Sequence, residues 1–247
     1  MDPSMIRIGC AGWSLPGDAA SRFAGQGSHL ERYARVFSCV EINSSFYRPH
    51  RPETYTRWAA SVPEAFRFSV KMPKAITHEL RLRNANADLR RFCDDIAALG
   101  ETLGCLLLQL PPSLPFERAT ASRFFAMLRA MTSTRVVCEP RHATWFGEEA
   151  RRAMRDAAIG CVLADPSPVP GVLPLGDAAT LYIRLHGSPR MYYSAYDATF
   201  IDALAGRLVA VPPGMSVWCV FDNTAAGEAI PNALYLRERV AACDAAP

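Results

Sequence analysis

Residues 134–165 read TRVVCEPRHATWFGEEARRAMRDAAIGCVLAD and contain one complete repeat of the pattern that runs through the chain. The first run, TRVVCEP, is short, apolar and rich in β-branched residues, and it ends in polar residues, as many buried strands do. Residues 147–160 have the spacing of an amphipathic helix, and a second apolar run, IGCVLAD, follows directly. A strand, a helix and a strand in this order predict two parallel strands joined by a helical connection.

Eight apolar runs of this kind occur along the chain, and all of them end in polar or glycine-containing tips. They are MIRIGCAGW, SCVEINSSF, FRFSVKM, GCLLLQL, TRVVCEP, IGCVLAD, TLYIRLHG and SVWCVFDN. Segments with helical periodicity lie between most of them, at 29–37, 52–62, 86–100, 117–131, 147–160, 196–209 and about 228–243. Eight strands that alternate with helices predict an α/β protein with one (β/α)8 TIM-barrel domain over residues 1–247. The alternative is an open, doubly wound sheet, which usually has fewer strands and a GxGxxG turn that GCAGWS does not match.

The sixth repeat is irregular. Residues 166–179 read PSPVPGVLPLGDAA and contain four prolines before the next strand begins. Proline lacks the backbone N–H that a helix needs and clashes with the preceding turn. We therefore predict that the sixth helix is missing or replaced by a proline-rich loop that lies over the barrel.

Charge and composition limit the classes of protein to consider. The chain has 27 basic and 24 acidic residues without a long run of either sign, so no polybasic segment for nucleic acid or membrane is evident. Neither a signal sequence nor 18 uninterrupted apolar residues are found, and we expect a cytoplasmic protein with no membrane contact. The eight cysteines form no CxxC pair, and most lie in or beside apolar runs. We expect them to be reduced and buried.

The candidate site follows from the predicted barrel, whose working residues lie at the carboxyl ends of the strands. Side chains alternate in direction along a strand, which places the following pairs on shared faces: Glu41 with Asn43, Ser69 with Lys71, Glu139 with Arg141, and Arg184 with His186. If these faces point inward, the groups converge. The predicted catalytic residues are Glu41, Lys71, Glu139, Arg184 and His186.

Further polar and aromatic residues near the strand ends are predicted to bind the substrate. They are Trp13, Asn43, Tyr47, His78, Gln109, Arg141, Trp145, Asp165, Asp222, Asn223 and Thr224. Each has a structural alternative, because carboxylates form structural ion pairs, amides and imidazoles hold loop backbones, and aromatic rings cap the core. Lys71 could form a Schiff base if burial lowered its pKa, but a lysine paired with Glu41 or Glu139 would stay charged, and we favour the charged role.

The loops after the seventh and eighth strands, RLHGSPRMYYSAY and FDNTAAGEA, occupy the positions where TIM-barrel enzymes often bind phosphate. Arg184, the backbone around Gly187, Asn223, Thr224 and the start of the last helix are expected to hold an anion there.

Seven segments stand in a characteristic order over nearly the whole chain. They are IGCAGWS (8–14), VEINSSFY (40–47), FRFSVKMPKAITHE (66–79), LLLQLPPS (106–113), CEPRHATWF (138–146), YIRLHG (182–187) and FDNTAAGEAIPNA (221–233). In these segments the chain resembles the YecE-like family, known as domain of unknown function 72. The resemblance implies a TIM barrel and supplies no reaction. Relatives often read FNN at the last strand, and Phe221-Asp222-Asn223 here implies a second carboxylate beside the site.

The leading hypothesis is an enzyme that acts on a small polar or phosphorylated substrate. Glu41 or Glu139 would be the general base, Lys71 and Arg184 would stabilise negative charge, and His186 would relay a proton. A purely structural protein is a weaker explanation, because it gains no stability from packing charges together at the strand ends.

Two alternatives remain open. One is a divalent-metal-dependent hydrolase or isomerase, with ligands among Glu41, Glu139, His142, Asp165, His186 and Asp222. A metal is not favoured, because Lys71, Arg141 and Arg184 compete for the carboxylates, and the sequence identifies no other cofactor. The other alternative is a nucleic-acid-binding or repair-related module with a basic rim of Arg48, Arg51, Arg81 and Arg83. The near-zero net charge does not favour nucleic acid as a partner.

Overall fold

The computed structural model describes residues 6–15, 17–170 and 179–244, and its strands form two parallel sheets. The order in one sheet is β1 (Ile6–Cys10), β9 (Ser216–Phe221), β8 (Thr180–Leu185) and β7 (Leu163–Asp165). The order in the other is β2 (Cys39–Ile42), β3 (Arg67–Lys71), β4 (Leu103–Gln109), β5 (Val136–Glu139) and β6 (Ile159–Cys161). All strand pairs are parallel. The predicted α/β class with parallel strands is confirmed.

The α-helices lie where the periodicity predicts them, with shorter ends. In the described part of the chain they are α1 (His29–Ala34), α2 (Pro52–Ala60), α3 (Asn86–Ile96), α4 (Arg118–Met131), α5 (Glu148–Asp156), α6 (Ala198–Val209) and α7 (Ala229–Asp244). Side-chain hydrogen bonds cap the first turns of two of these helices. Ser28 and Glu31 form a capping box at α1, and the Asp197 side chain accepts a hydrogen bond from the Phe200 N–H at α6.

The two sheets approach each other at two places. At the first, an isolated parallel bridge joins Ala11 to Glu41, and the Gly12 N–H donates to the Glu41 carbonyl at 2.9 Å. At the second, the single residue Val162 separates β6 from β7. The predicted sixth strand is therefore divided, and each half pairs in a different sheet.

Side chains from both sheets pack against one another in a small apolar cluster. Its members are Cys39, Cys105, Leu107, Val137, Val162, Tyr182, Trp218 and Val220. The Tyr182 and Trp218 rings stack with centroids 5.8 Å apart. Gly104 leaves the space that Trp218 occupies, because a Cβ there would lie 2.7 Å from the indole ring. A larger cluster fills the space beneath the helices.

Three further predictions concern the cysteines, the proline-rich segment and membrane-spanning helices. Seven of the eight cysteines are buried, as predicted, whereas Cys243 is half-buried. Residues 166–170, which begin the proline-rich segment, contain no helix, whereas 171–178 lie outside the described residues. None of the helices described is both long and apolar enough to cross a bilayer.

Candidate functional site

Arg184 occupies the centre of a fully buried charged cluster. Its Nε and Nη2 donate to the two oxygens of Glu41 at 3.0 and 2.7 Å, Nη1 donates to Glu139 at 2.6 Å, and Nη2 also donates to Asp222 at 2.9 Å. Burial lowers the pKa of Arg184, but Glu41, Glu139 and Asp222 together raise it well above its ordinary value. We call Arg184, these three carboxylates and His186 the Arg184 cluster.

His186 lies between two carboxylates of this cluster. Its Nδ1 is 3.0 Å from Asp222 Oδ2 and its Nε2 is 3.0 Å from Glu139 Oε1, while Arg141 Nη2 lies 2.6 Å from the same Nε2. With one proton, on Nδ1, the imidazole donates to Asp222 and accepts from Arg141. With a second proton, on Nε2, it would donate to Glu139 and give up the hydrogen bond from Arg141. The ring is therefore positioned to carry a proton between two acids.

The two acids that contact His186 remain ionised. Burial acts to raise the pKa of Glu139, but Arg184, the His186 hydrogen bond and Arg141 hold it well below its usual range. The pKa of Asp222 is also lowered: burial opposes this change, and Arg184 and His186 outweigh it. A general base works best with a pKa near the operating pH, so the predicted role of Glu139 as the base is not favoured by its surroundings.

Lys71 ends β3 beside the cluster and differs from its predicted state. The residue is only 6% exposed, yet its ammonium forms no ion pair with any described residue within 4.0 Å. Its Nζ instead lies 4.2 Å from the centroid of the Phe46 ring. Burial and then Arg184 lower the pKa of Lys71, against the opposing effect of Glu41, Asp222 and Glu139. The expected pairing with Glu41 or Glu139 is wrong, because Arg184 holds both carboxylates in shorter, charge-assisted hydrogen bonds.

The loops after β2 and β3 supply the other side of the Lys71 environment. Phe46 contacts the edges of Tyr47 and His78, with centroids 5.0 Å apart in both pairs, and Tyr47 is 76% exposed. Burial lowers the pKa of His78, as does nearby Lys71. Asn43 carries a buried Oδ1 that accepts no hydrogen bond from the described residues. An aromatic wall with an unused acceptor thus faces the strand ends.

Arg141 adds an unused donor. Its side chain is nine-tenths buried and its Nη2 contacts both Glu139 and His186. Its buried Nε has no hydrogen-bond partner among the residues that the structure describes. Because an unpaired buried donor is unfavourable, this N–H is suited to meet an acceptor on a bound molecule.

The predicted anion site after β8 and β9 is not assembled from the expected donors. Arg184 is enclosed by its three carboxylates, the Gly187 N–H donates to the Tyr196 hydroxyl, and the Asn223 amide donates to Ser194 and Asn232. Exposed Thr224 and the start of α7 border a cavity of about 370 Å³.

Other predicted residues have mainly structural contacts. Trp145 is buried in the core and its Nε1 donates to the Leu114 carbonyl, so it does not face a substrate. Trp13 packs edge-on against Trp58, and Asp165 accepts a hydrogen bond from Tyr196 at 2.7 Å. Gln109 lies in register with Glu139 at the end of β4.

Several residues of the site were missed from the sequence. Tyr182 lies 3.0 Å from Glu41 and 2.8 Å from Ser69, and its place two residues before Arg184 could have revealed it. Phe46, within the quoted motif VEINSSFY, carries no signal of its contact with Lys71. Asn232, ten residues after Asp222, holds the loop before α6 through both backbone groups of Tyr196. A helix residue that reaches a distant loop leaves no local pattern.

The carboxylates do not fit the predicted alternative of a metal site. In the described ranges, no group of three or more His, Cys, Asp and Glu residues could hold a metal ion. Arg184 lies among the acids and donates to all three, in the position that a cation would need.

The predicted basic rim is partly occupied. Arg81 donates to the Ser113 carbonyl at 2.7 Å, and Arg83 forms an ion pair with Glu117 at 2.5 Å. These two guanidinium groups are thus already engaged at the protein surface.

Comparison with known protein sequences identifies relatives in two bacteria. The UPF0759 protein YecE of Escherichia coli (strain K12) is 32% identical over 181 residues, which span 70% of this chain and 64% of that protein. The UPF0759 protein YunF of Bacillus subtilis (strain 168) is 26% identical over 204 residues, or 74% of this chain and 70% of that protein. The chain thus matches less than two thirds of the length of the E. coli relative.

Two solved structures superpose on this chain over nearly its whole length. A DUF72 family protein from Thermotoga maritima superposes with a TM-score of 0.82 at 25% identity, covering 96% of this chain and 99% of that chain. One from Enterococcus faecalis has a TM-score of 0.78 at 20% identity and covers 96% of each chain. The sequence model described as "Protein of unknown function DUF72" matches residues 7–246. The chain belongs to the DUF72 family.

Proposed function

We propose that this chain is an enzyme that binds a small polar or phosphorylated molecule at the carboxyl ends of its strands, with the anionic group of the substrate against Lys71. The observation that carries the proposal is the state of Lys71, a residue only 6% exposed whose ammonium has no ion pair with a described residue. Burying a charge without a partner is costly. An anionic ligand would remove that cost, and the interaction would be strong where water is restricted.

The neighbouring charges favour an anion over a cation as the ligand. The three carboxylates of the Arg184 cluster are already bonded to Arg184, and two of them also contact His186. They offer no free negative charge. Lys71 and the unused Nε of Arg141 are positive groups that retain binding capacity.

His186 supports catalysis over simple binding. Its two nitrogens face Asp222 and Glu139 at equal distances of 3.0 Å, which suits transfer of a proton during a reaction. Arg184 holds those acids in place and does not itself meet the substrate, which revises its predicted role. Fixed charges of this kind stabilise developing charge with little reorganisation.

We also infer that the two sheets close into a (β/α)8 barrel around the Arg184 cluster. The Ala11–Glu41 bridge, the single residue between β6 and β7, and the hydrogen bonds of Arg184 across both sheets support closure. If β6 and β7 count as one strand, the number is the eight that a TIM barrel requires.

Thermal melting with phosphorylated and carboxylated small molecules tests the proposed binding. The wild type is compared with Lys71→Met, and with Lys74→Met as a matched control, since Lys74 is exposed and pairs with Glu79 at 3.5 Å. A ligand at 100 times its Kd stabilises the folded state by about 2.7 kcal/mol. We expect the ligand to raise the melting temperature of the wild type and of Lys74→Met, but not that of Lys71→Met. Equal shifts in all three proteins would remove Lys71 from the site.

A further inference from the structure

Lysine is rare in this chain, and one of its few positions is the buried site. Of the 27 basic residues only Lys71 and Lys74 are lysines, and the other 25 are arginines. Lys74 is exposed and paired with Glu79, as a surface arginine could equally be. Lys71 lies at the strand ends among buried charges. Nearly all positively charged side chains of this chain are arginines, yet this buried position has a lysine. Lysine differs from arginine because its amine can lose its proton.

We propose that Lys71 is a nucleophile that forms an imine with a small aldehyde or ketone bearing an anionic group. This inference rests on the proposed function, since it names the substrate class of the same site.

The surroundings of the Lys71 amine favour this chemistry. No described carboxylate lies within ion-pair distance to fix the ammonium form, and the Phe46 ring covers one side of the nitrogen at 4.2 Å. Burial and Arg184 lower the pKa of Lys71. A lysine activated in this way, by desolvation and by a neighbouring cation, is a recognised nucleophile for carbonyl groups. The same ring would face the iminium cation that forms.

Arg141 and His186 indicate which further groups the substrate carries. The Arg141 Nε is a buried donor without a described partner, and it suits a carboxylate or phosphate on the substrate. His186, hydrogen-bonded to Asp222 at 3.0 Å, is a member of the adjacent Arg184 cluster that could pass protons to and from the reacting oxygen.

The covalent step balances without an added reagent. Lys71 first gives one proton to the His186–Asp222 pair, and the nitrogen lone pair attacks the carbonyl carbon. The carbonyl oxygen takes that proton back from the pair to give a carbinolamine. The nitrogen then loses a second proton, which the pair passes to the hydroxyl group, so that the C–O bond breaks, water leaves and the nitrogen lone pair forms the C=N bond. One ammonium group and one carbonyl give one iminium ion and one water, with the charge unchanged.

Competition between the two lysines of the same molecule tests the inference. The full chain is incubated with glyoxylate, which carries an aldehyde and a carboxylate, and sodium cyanoborohydride reduces any iminium to a stable secondary amine. Peptide mass mapping then gives the labelling rates at Lys71 and Lys74. A lowered pKa leaves more free amine near neutral pH, so we expect Lys71 to react faster than Lys74. Acetaldehyde, which has no anionic group, should show a smaller preference.

Variants and a ligand without a carbonyl separate the possible failures. Lys71→Arg keeps the charge and should abolish the fast labelling without changing the rate at Lys74. Labelling of Lys71 no faster than Lys74 with both aldehydes would overturn the imine. If inorganic phosphate still raises the melting temperature in a way that Lys71→Met abolishes, the proposed anion-binding site stands and only the covalent role fails. If phosphate and the carboxylated ligands also have no Lys71-dependent effect, both proposals fall.

Discussion

At the scale of single residues, Arg184 determines where three acids lie. Its guanidinium donates to Glu41, Glu139 and Asp222, and none of these groups is open to solvent by more than a few per cent. Buried ion pairs of this kind add little net stability against an apolar replacement of the whole set. Removing one partner is costly, because the others remain buried and charged.

Arg184→Met should therefore lower the free energy of unfolding by about 3–5 kcal/mol, measured by urea denaturation. Arg22→Met is the matched control, since Arg22 pairs with Glu238 on the surface and both side chains are more than half exposed. Exposed pairs contribute little, so the control should change stability only slightly. Equal effects in the two variants would mean that the Arg184 cluster does not hold the fold together.

At the scale of elements, β1 and β2 meet so closely that one position needs glycine. The Cys10 N–H donates to the Tyr33 hydroxyl at 2.8 Å, and that hydroxyl donates to the Cys39 carbonyl at 3.0 Å. A Cβ on Gly9 would lie 2.1 Å from the same Cys39 oxygen. Tyr33 of α1 thus links the two strands, and Gly9 keeps the gap narrow.

Gly9→Ala should destabilise the fold by about 1–3 kcal/mol or more, because backbone atoms have to move to admit the methyl group. Gly206→Ala in α6 is the control: a Cβ there meets nothing within 4 Å, and alanine should stabilise the helix by about 0.5–1 kcal/mol. Thermal melting should therefore give a lower melting temperature for Gly9→Ala and a higher one for Gly206→Ala. A neutral Gly9→Ala would show that β1 and β2 are not in close contact.

At the scale of the whole molecule, buried side chains connect the two sheets. Arg184 in the first sheet bonds Glu41 and Glu139 in the second, and Tyr182 reaches Ser69. We expect the chain to unfold in a single transition, because neither sheet keeps its charges paired alone. In scanning calorimetry the calorimetric and van't Hoff enthalpies should agree. Two separated transitions would indicate two independent units and would contradict both the predicted single domain and the inferred closure of the barrel.

The sequence predicts helices and strands better than it predicts contacts between side chains. Hydrophobic periodicity located each α-helix of the described residues, because that signal lies within one segment. Strand alternation likewise placed Glu41, Glu139, Arg184 and His186 together. It did not predict that Arg184 bonds both glutamates and leaves Lys71 without an ion pair among the described residues. Glu41 and Arg184 are 143 residues apart, and competition among buried charges depends on distances that only the folded chain sets. The division of the sixth strand at Val162 is also a property of the assembled sheets.

A pH titration of the Lys71 amine reports on the environment on which both proposals rest. Because the chain has two lysines, selective isotope labelling gives two side-chain signals in NMR, and Lys71→Met assigns them. We predict that the Lys71 amine titrates below its ordinary value of 10.5, because burial and Arg184 disfavour the charged form. Bound inorganic phosphate should move that titration upward. A Lys71 signal that titrates at or above 10.5 and does not respond to phosphate would mean that Lys71 is neither destabilised as a cation nor part of an anion-binding site.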